Sequence, residues 1–211
     1  VGKLAHDRIL RDFAAGKYNI LLGTQMVAKG HDIANVTAVG IITADTALHL
    51  PDFRAAERTF ALLTQAAGRA GRGKKPGRVV IQTYNPEHYA VQSGAEQDYL
   101  SFYHHEISFR QELFYPPFSD IIKFTVQGSA EQRAWQRAQE IVQAIEAALS
   151  AIPATQVIGP FPAPLNKIKD IYRMNILIKT GDSIAVRQRL AALDQLFNPD
   201  VLIDVDPINV M

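Results

Sequence analysis

The run Tyr115-Pro116-Pro117-Phe118 constrains this chain more than any other stretch. Proline has no amide hydrogen and a fixed φ, so a pair of them ends a helix and cannot sit inside a sheet. The residue before a proline is also driven towards extended backbone. The chain of 211 residues is therefore expected to divide near residue 117 into two parts that fold separately.

Upstream of the break, apolar runs alternate with helical patterns. "KLAHDRILRDFAA" places Leu4, Ile9, Leu10 and Phe13 at helical spacing, and Gly16 stops it. "YNILLGTQ" reads as a buried strand and "TAVGIITAD" as a second. "HLPD" is a turn with Asp52 as a candidate helix cap. Phe53, Ala56, Phe60, Leu63 and Ala67 then recur every three or four residues, and "RVVIQTY" is a third strand. This alternation predicts parallel βαβ units in an open α/β sheet. Residues 91–114 read as one helix whose aromatics glue it to its surroundings.

Downstream, the order is strand ("DIIKFTVQG"), helix (130–150, with Trp135 as a packing residue), strand ("TQVIGP"), loop, strand ("YRMNILIKT"), helix (183–196) and strand ("VLIDVDP"). That β-α-β-β-α-β order predicts a smaller α+β domain of ferredoxin-like, split βαβ arrangement.

Three stretches carry chemistry. Ligands of open α/β sheets bind beyond the carboxyl ends of the strands, where "LLGTQMVAKGHD" leaves its expected strand. There Thr24 can donate to a phosphate, Asp32 can accept from a ribose hydroxyl, and Gly30 permits close approach; a solvated glycine turn has the same composition. "TQAAGRAGRGKK" sets Arg69 and Arg72 three apart, on one helical face, between glycines. Glycine weakens a helix and unpaired arginine is costly to bury. Two forked cations can converge on one polyanion, the arginine-finger role in phosphoryl transfer. The alternative is a solvated basic helix end that satisfies terminal carbonyls. "FPAPLNKIKDIYR" carries Lys167, Lys169, Arg173 and Tyr172, suited to phosphate contact with Tyr172 stacking on a base. Its alternative is a solvated hairpin with Asp170 cancelling part of the charge.

A net charge of +1 requires any nucleic-acid surface to be local. The absence of cysteine excludes disulfides and a thiolate zinc site in this chain. The histidines have no metal-ligand spacing. No signal peptide or long apolar span is present, so a cytoplasmic protein without membrane partners is expected. The chain opens at Val1 within a helical pattern, as expected of a piece of something larger.

"GTQMVAKGHD" followed by "QAAGRAGR", the pattern Q-x-x-G-R-x-G-R, resembles motifs V and VI of superfamily 2 helicases. With "ADTALHLPDFRAAERTF", the "YPPF" junction and the closing "DVDP", nearly the whole chain resembles the C-terminal part of one family. That family is the bacterial primosomal replication-restart helicases, the PriA or primosomal protein N′ family. The resemblance implies a partial second RecA-like helicase lobe over 1–90, a linker helix and Pro-rich junction over 91–117, and a C-terminal domain over 118–211. It implies that Arg69 and Arg72 reach the γ-phosphate of ATP held by a first lobe, with Gln65 in the same network. Gly30 and Asp32 then lie on the nucleotide side, Thr24 near the DNA backbone, and Gln25 and Lys29 between nucleotide and DNA.

For the intact protein the resemblance implies an ATP-dependent DNA helicase moving 3′ to 5′, with ATP and Mg2+, and zinc in a separate module. Its implied partners are forked DNA, single-stranded DNA-binding protein and other primosome proteins. This chain has no G-x-x-x-x-G-K-[ST] loop, no D-E-x-H motif and no cysteine-rich module. Alone it is expected to be inactive. Two other readings stand beside this one: another superfamily 2 translocase such as a branch-migration helicase, and a non-enzymatic nucleic-acid or protein-binding module.

Overall fold

The computed structural model describes residues 3–24, 36–71 and 76–210. They fall into two compact units: residues up to Leu50 with Ala55–His105, and Pro51–Arg54 with Glu106 onward.

The first unit contains α1 (Lys3–Ala14), β1 (Ala38–Ile41), α2 (Asp45–Leu48), α3 (Ala55–Ala67), β2 (Arg78–Ile81) and α4 (Tyr89–Glu96). Helix α5 (Tyr99–Glu112) begins there and ends in the second unit. β1 and β2 pair in parallel, from Ala38 opposite Arg78 to Ile41 opposite Ile81. Parallel neighbours need a crossover, and α3 lies within it. Helix α3 buries Phe60, Leu63, Ala66 and Ala67 at the spacing the sequence predicts. Leu63 packs with Ala44 and Val91, and Phe60 stacks on Phe102 with ring centroids 4.3 Å apart. The α/β class expected from the alternation holds.

The details differ in three places. "YNILLGTQ" is not a strand over its described part: residues 18–24 are irregular, with Ile20 and Leu22 more than four-fifths exposed. A strand exists only through its ladder, and among the described residues β1 and β2 pair only with each other. The single helix over 91–114 is two helices. Gln97 takes a left-handed φ of 57°, and Asp98 Oδ1 then accepts from Ser101 N at 3.0 Å, restarting the helix as α5. Phe53, counted in the periodicity of α3, lies ahead of that helix and packs in the second unit.

The second unit holds β3 (Asp120–Gly128), α6 (Glu131–Leu149), β4 (Thr155–Ile168), β5 (Ile171–Thr180), α7 (Ser183–Leu190), a 3-10 turn (Asp194–Phe197) and β6 (Val201–Val205). The strands form one antiparallel sheet in the order β4-β5-β3-β6. This is the ferredoxin-like arrangement that the element order predicts. Alternation directs Ile122, Phe124 and Val126 of β3 and Met174, Ile176 and Ile178 of β5 to one face. There they meet Ala138, Ile141 and Ile145 of α6 and Val186 and Leu190 of α7. Trp135 does not join this core: it is 36% exposed. The expected helix over 183–196 ends at Leu190, and the loop expected after "TQVIGP" is instead a continuation of β4. Ile145 is fully buried in this core, so Ile145→Ala leaves a cavity that denaturant titration should register as a loss of about 2–5 kcal/mol.

Candidate functional site

Helix α3 ends at Ala67, immediately before Gly68. Arg69 therefore stands in a turn and not on the helical face that its spacing from Arg72 suggested. Gly68 N donates to Thr64 O and Arg69 N to Ala66 O, so the last helical turn tightens as it unwinds. Gly71 has a φ of 76° and its N donates to Val36 O at 3.0 Å, just ahead of β1. The turn also rests on Gly77, just ahead of β2, where a Cβ would overlap the backbone of Ala70 and Gly71. Glycine is required at both positions, at one for its backbone angle and at the other for close approach. The arginine turn is thereby fixed to the entry of both strands.

Gln65 is exposed on α3 and Arg69 is partly buried. Thr24 is exposed in the irregular stretch before Gln25. Gln25, Lys29, Gly30, Asp32 and Arg72 lie outside the described residues.

One residue of this unit escaped sequence reasoning. Asp45 follows β1 and is buried, with an exposure of 2%. Its carboxylate accepts from Thr83 Oγ1 at 2.8 Å, Asn85 Nδ2 at 2.9 Å and Tyr84 N at 3.0 Å, all just beyond β2. Burial alone would raise its pKa, but these donors outweigh burial and lower it from 3.8 to about 2. Asp45 thus clamps the carboxyl ends of two parallel strands, where ligands of such sheets bind. The visible signal was a lone acid between an apolar run and "TALHL".

In the second unit, the basic segment is the tip of a β-hairpin. Lys167 pairs with Tyr172 and Ile168 with Ile171. Lys169 and Asp170 form the turn, with φ of 48° and 63°. Two successive left-handed residues are the signature of a type I′ turn. A bulge between Pro162 and Lys167 interrupts the ladder, and Arg173 Nε donates across it to Leu165 O at 3.1 Å. Lys167 Nζ lies 2.9 Å from Asp170 Oδ1 and 5.1 Å from the centre of the Tyr172 ring. Its pKa is raised, first by the Asp170 hydrogen bond. Lys167, Lys169, Tyr172 and Arg173 are thus brought together at one tip.

Among the described residues no group of three His, Asp or Glu side chains is placed to hold a metal ion, and cysteine is absent from the sequence. The donors of a zinc or magnesium centre do not come from these residues. Nor is any described helix long and apolar enough to cross a membrane.

Residues 3–74 match the Helicase conserved C-terminal domain family. Residues 111–208 match the Primosomal protein N C-terminal domain family. The chain is 49% identical over 177 residues to the replication restart protein PriA of Bacillus subtilis (strain 168), covering 84% of this chain and 22% of that protein. It is 39% identical over 211 residues to the PriA protein of Chlamydia pneumoniae, covering 98% and 28%. For Treponema pallidum (strain Nichols) the identity is 43% over 212 residues, covering 97% and 32%. The chain belongs to the PriA replication restart family. It corresponds to the C-terminal part of that family and spans between 22% and 32% of the length of these three relatives. In PriA terms, the arginine turn and the Asp45 clamp fall within the helicase match, and the hairpin falls within the primosomal match.

The Asp45 clamp has a pH signature. Its folded pKa lies below its unfolded value, so the unfolded chain binds more protons between pH 3.8 and about 2. Its contribution should be complete above that window and lost as pH falls through it. NMR titration of the Asp45 carboxyl and exchange of the Tyr84 amide should report this loss, and Asp45→Asn should abolish it.

Proposed function

We propose that this chain is the C-terminal portion of an ATP-dependent 3′–5′ DNA helicase that binds forked DNA and restarts stalled replication by primosome assembly. The observation that carries this reading is the conjunction, in one chain of the PriA family, of a glycine-framed arginine turn and a basic, aromatic hairpin. The primosomal match over residues 111–208 favours it over a branch-migration helicase.

In this reading Arg69 and Arg72 neutralise charge that develops on the γ-phosphate during transfer, with Gln65 beside them. The phosphate loop and magnesium ligands come from a first lobe, and zinc from a separate module, since this sequence holds none of these motifs. Gly30 and Asp32 serve the nucleotide, while Thr24, Gln25 and Lys29 serve the DNA backbone. Lys169 and Arg173 contact phosphate, Lys167 does so against competition from Asp170, and Tyr172 offers a stacking face. Forked DNA, single-stranded DNA-binding protein and the primosome proteins are the partners of the whole, which acts in the cytoplasm.

Two measurements test this. In the full-length protein, Arg69→Ala or Arg72→Ala should cut ATP turnover by ~10³–10⁵ with DNA affinity preserved. The present chain alone should release no phosphate. Wild-type turnover together with weakened DNA binding would support a backbone-binding module instead. For the hairpin, changing Lys167, Lys169 and Arg173 to Ala should flatten the salt dependence of forked-DNA affinity by up to about three units, at ~0.9 per phosphate contact. An unchanged slope would make the hairpin a solvated arm.

A further inference from the structure

The chain crosses between the two units at Leu50/Pro51, Arg54/Ala55 and His105/Glu106. Four residues, Pro51–Arg54, thus belong to the second unit although α3 of the first unit begins at the very next position. Phe53 anchors them. Its ring stacks on Tyr115 with centroids 5.3 Å apart and planes 11° from parallel. The Arg110 guanidinium lies 5.3 Å from the centre of the Phe53 ring. Lys179 Nζ lies 3.5 Å from the centre of the Tyr115 ring. Two aromatic rings and two cations thus form one continuous set of contacts.

Neither cation is loose. Arg110 Nε pairs with Glu106 Oε1 at 2.7 Å, and its Nη1 donates to Pro116 O at 3.2 Å. Lys179 donates to Leu113 O at 2.9 Å and is itself buried. Within the four residues, Asp52 Oδ1 accepts from Arg54 N at 2.8 Å, closing a tight turn directly before the helix.

We propose that Pro51–Arg54 is a coupling strap through which the second unit sets the position of α3 and, with it, of the Arg69 turn. The inference rests on the functional reading above, with nucleotide at Arg69 and DNA at the hairpin. Helix α3 is a stiff rod of about 20 Å. Its first residue is joined to the strap and its last leads through Gly68 into Arg69. A displacement of the second unit that moves Phe53 therefore pulls on the start of that rod. Phe53 is a positioning residue: it touches neither nucleotide nor DNA, and it carries the coupling between them.

Coupling is measured as a ratio of affinities. In the full-length protein, labelled forked DNA is titrated with and without a non-hydrolysable ATP analogue, and analogue binding is titrated separately. In the wild type the two DNA dissociation constants should differ by roughly 5- to 150-fold. Phe53→Ala should bring that ratio to about one while leaving DNA affinity without nucleotide unchanged. Phe53→Tyr, which keeps the stack, should retain the wild-type ratio. Phe53→Leu keeps apolar bulk without the ring and should also lose the coupling; it carries the test if Phe53→Ala fails to fold. A purely structural role would lower both affinities and leave their ratio intact. A wild-type ratio retained in Phe53→Ala or Phe53→Leu overturns the strap. A wild type that binds both ligands with a ratio of one overturns the strap and leaves the functional reading standing. A wild type that binds neither ligand removes that reading, and the strap with it.

Discussion

Strand β5 is buried on both of its faces from Met174 to Thr180, so the sheet that contains it must be covered twice. One cover is ordinary: α6 and α7 lay their apolar faces on Met174, Ile176 and Ile178. The other is built from pieces, as Phe53, Tyr115, Phe161 and Val210 close over Ile121 and Leu177. That second face also holds two polar side chains, Asn175 and Lys179, each at most 5% exposed. Asn175 meets Thr125, its partner across the sheet, whose hydroxyl donates to Asn175 Oδ1 at 2.9 Å. Lys179 has no carboxylate partner in the contacts that hold it. A carbonyl and the face of Tyr115 take its charge, and burial pushes its pKa down. A plain aliphatic cover would leave that ammonium unsolvated. The aromatic face of the cover follows from the charge beneath it.

The same chemistry explains why the chain returns upstream to complete the cover. Burial raises the pKa of the Tyr115 phenol, aided by the nearby negative charge of Asp52. One residue beyond Asp52, Phe53 supplies the stacking partner. Four residues ahead of a helix in the first unit are therefore fixed by the needs of a lysine in the second. A break anywhere in the set leaves either a ring exposed or a cation buried without a partner, both costly.

Much of this was legible in the residues. The double proline marks the end of the first pattern because its backbone admits no other reading. The split βαβ order follows from strong period-two and helical signals in 120–205, where local preference and burial agree. The failures have a common cause. "YNILLGTQ" has the apolar content of a strand, but pairing is a property of neighbours and not of the run itself. Phe53 fits the helical spacing of α3, and only a contact with residues some sixty positions away in sequence removes it. Asp45 carries no local motif at all. Its three donors come from beyond β2, and no window of sequence contains both ends of that clamp. The hairpin was half legible: its basic and aromatic residues stood out, while the left-handed turn at Lys169 and Asp170, without a glycine, hid the strand pairing.

The glycines around the arginine turn resolve in the same terms. On a helix, two arginines three apart would share a face, and the glycines would only weaken that helix. In the structure the helix has already ended at Ala67, and the glycines have separate tasks. Gly68 lies where helical bonds give way to turn bonds, Gly71 turns the chain through the left-handed region, and Gly77 lets the turn lie against the backbone leading to β2. A turn held from two sides presents a side chain more reproducibly than a frayed helix end, where carbonyls compete for the cation. A guanidinium meant to meet an anion supplied from elsewhere needs that fixed backbone more than it needs a helix. The spacing of arginine and glycine in "GRAGR" is thus best explained as the requirement of a rigid turn.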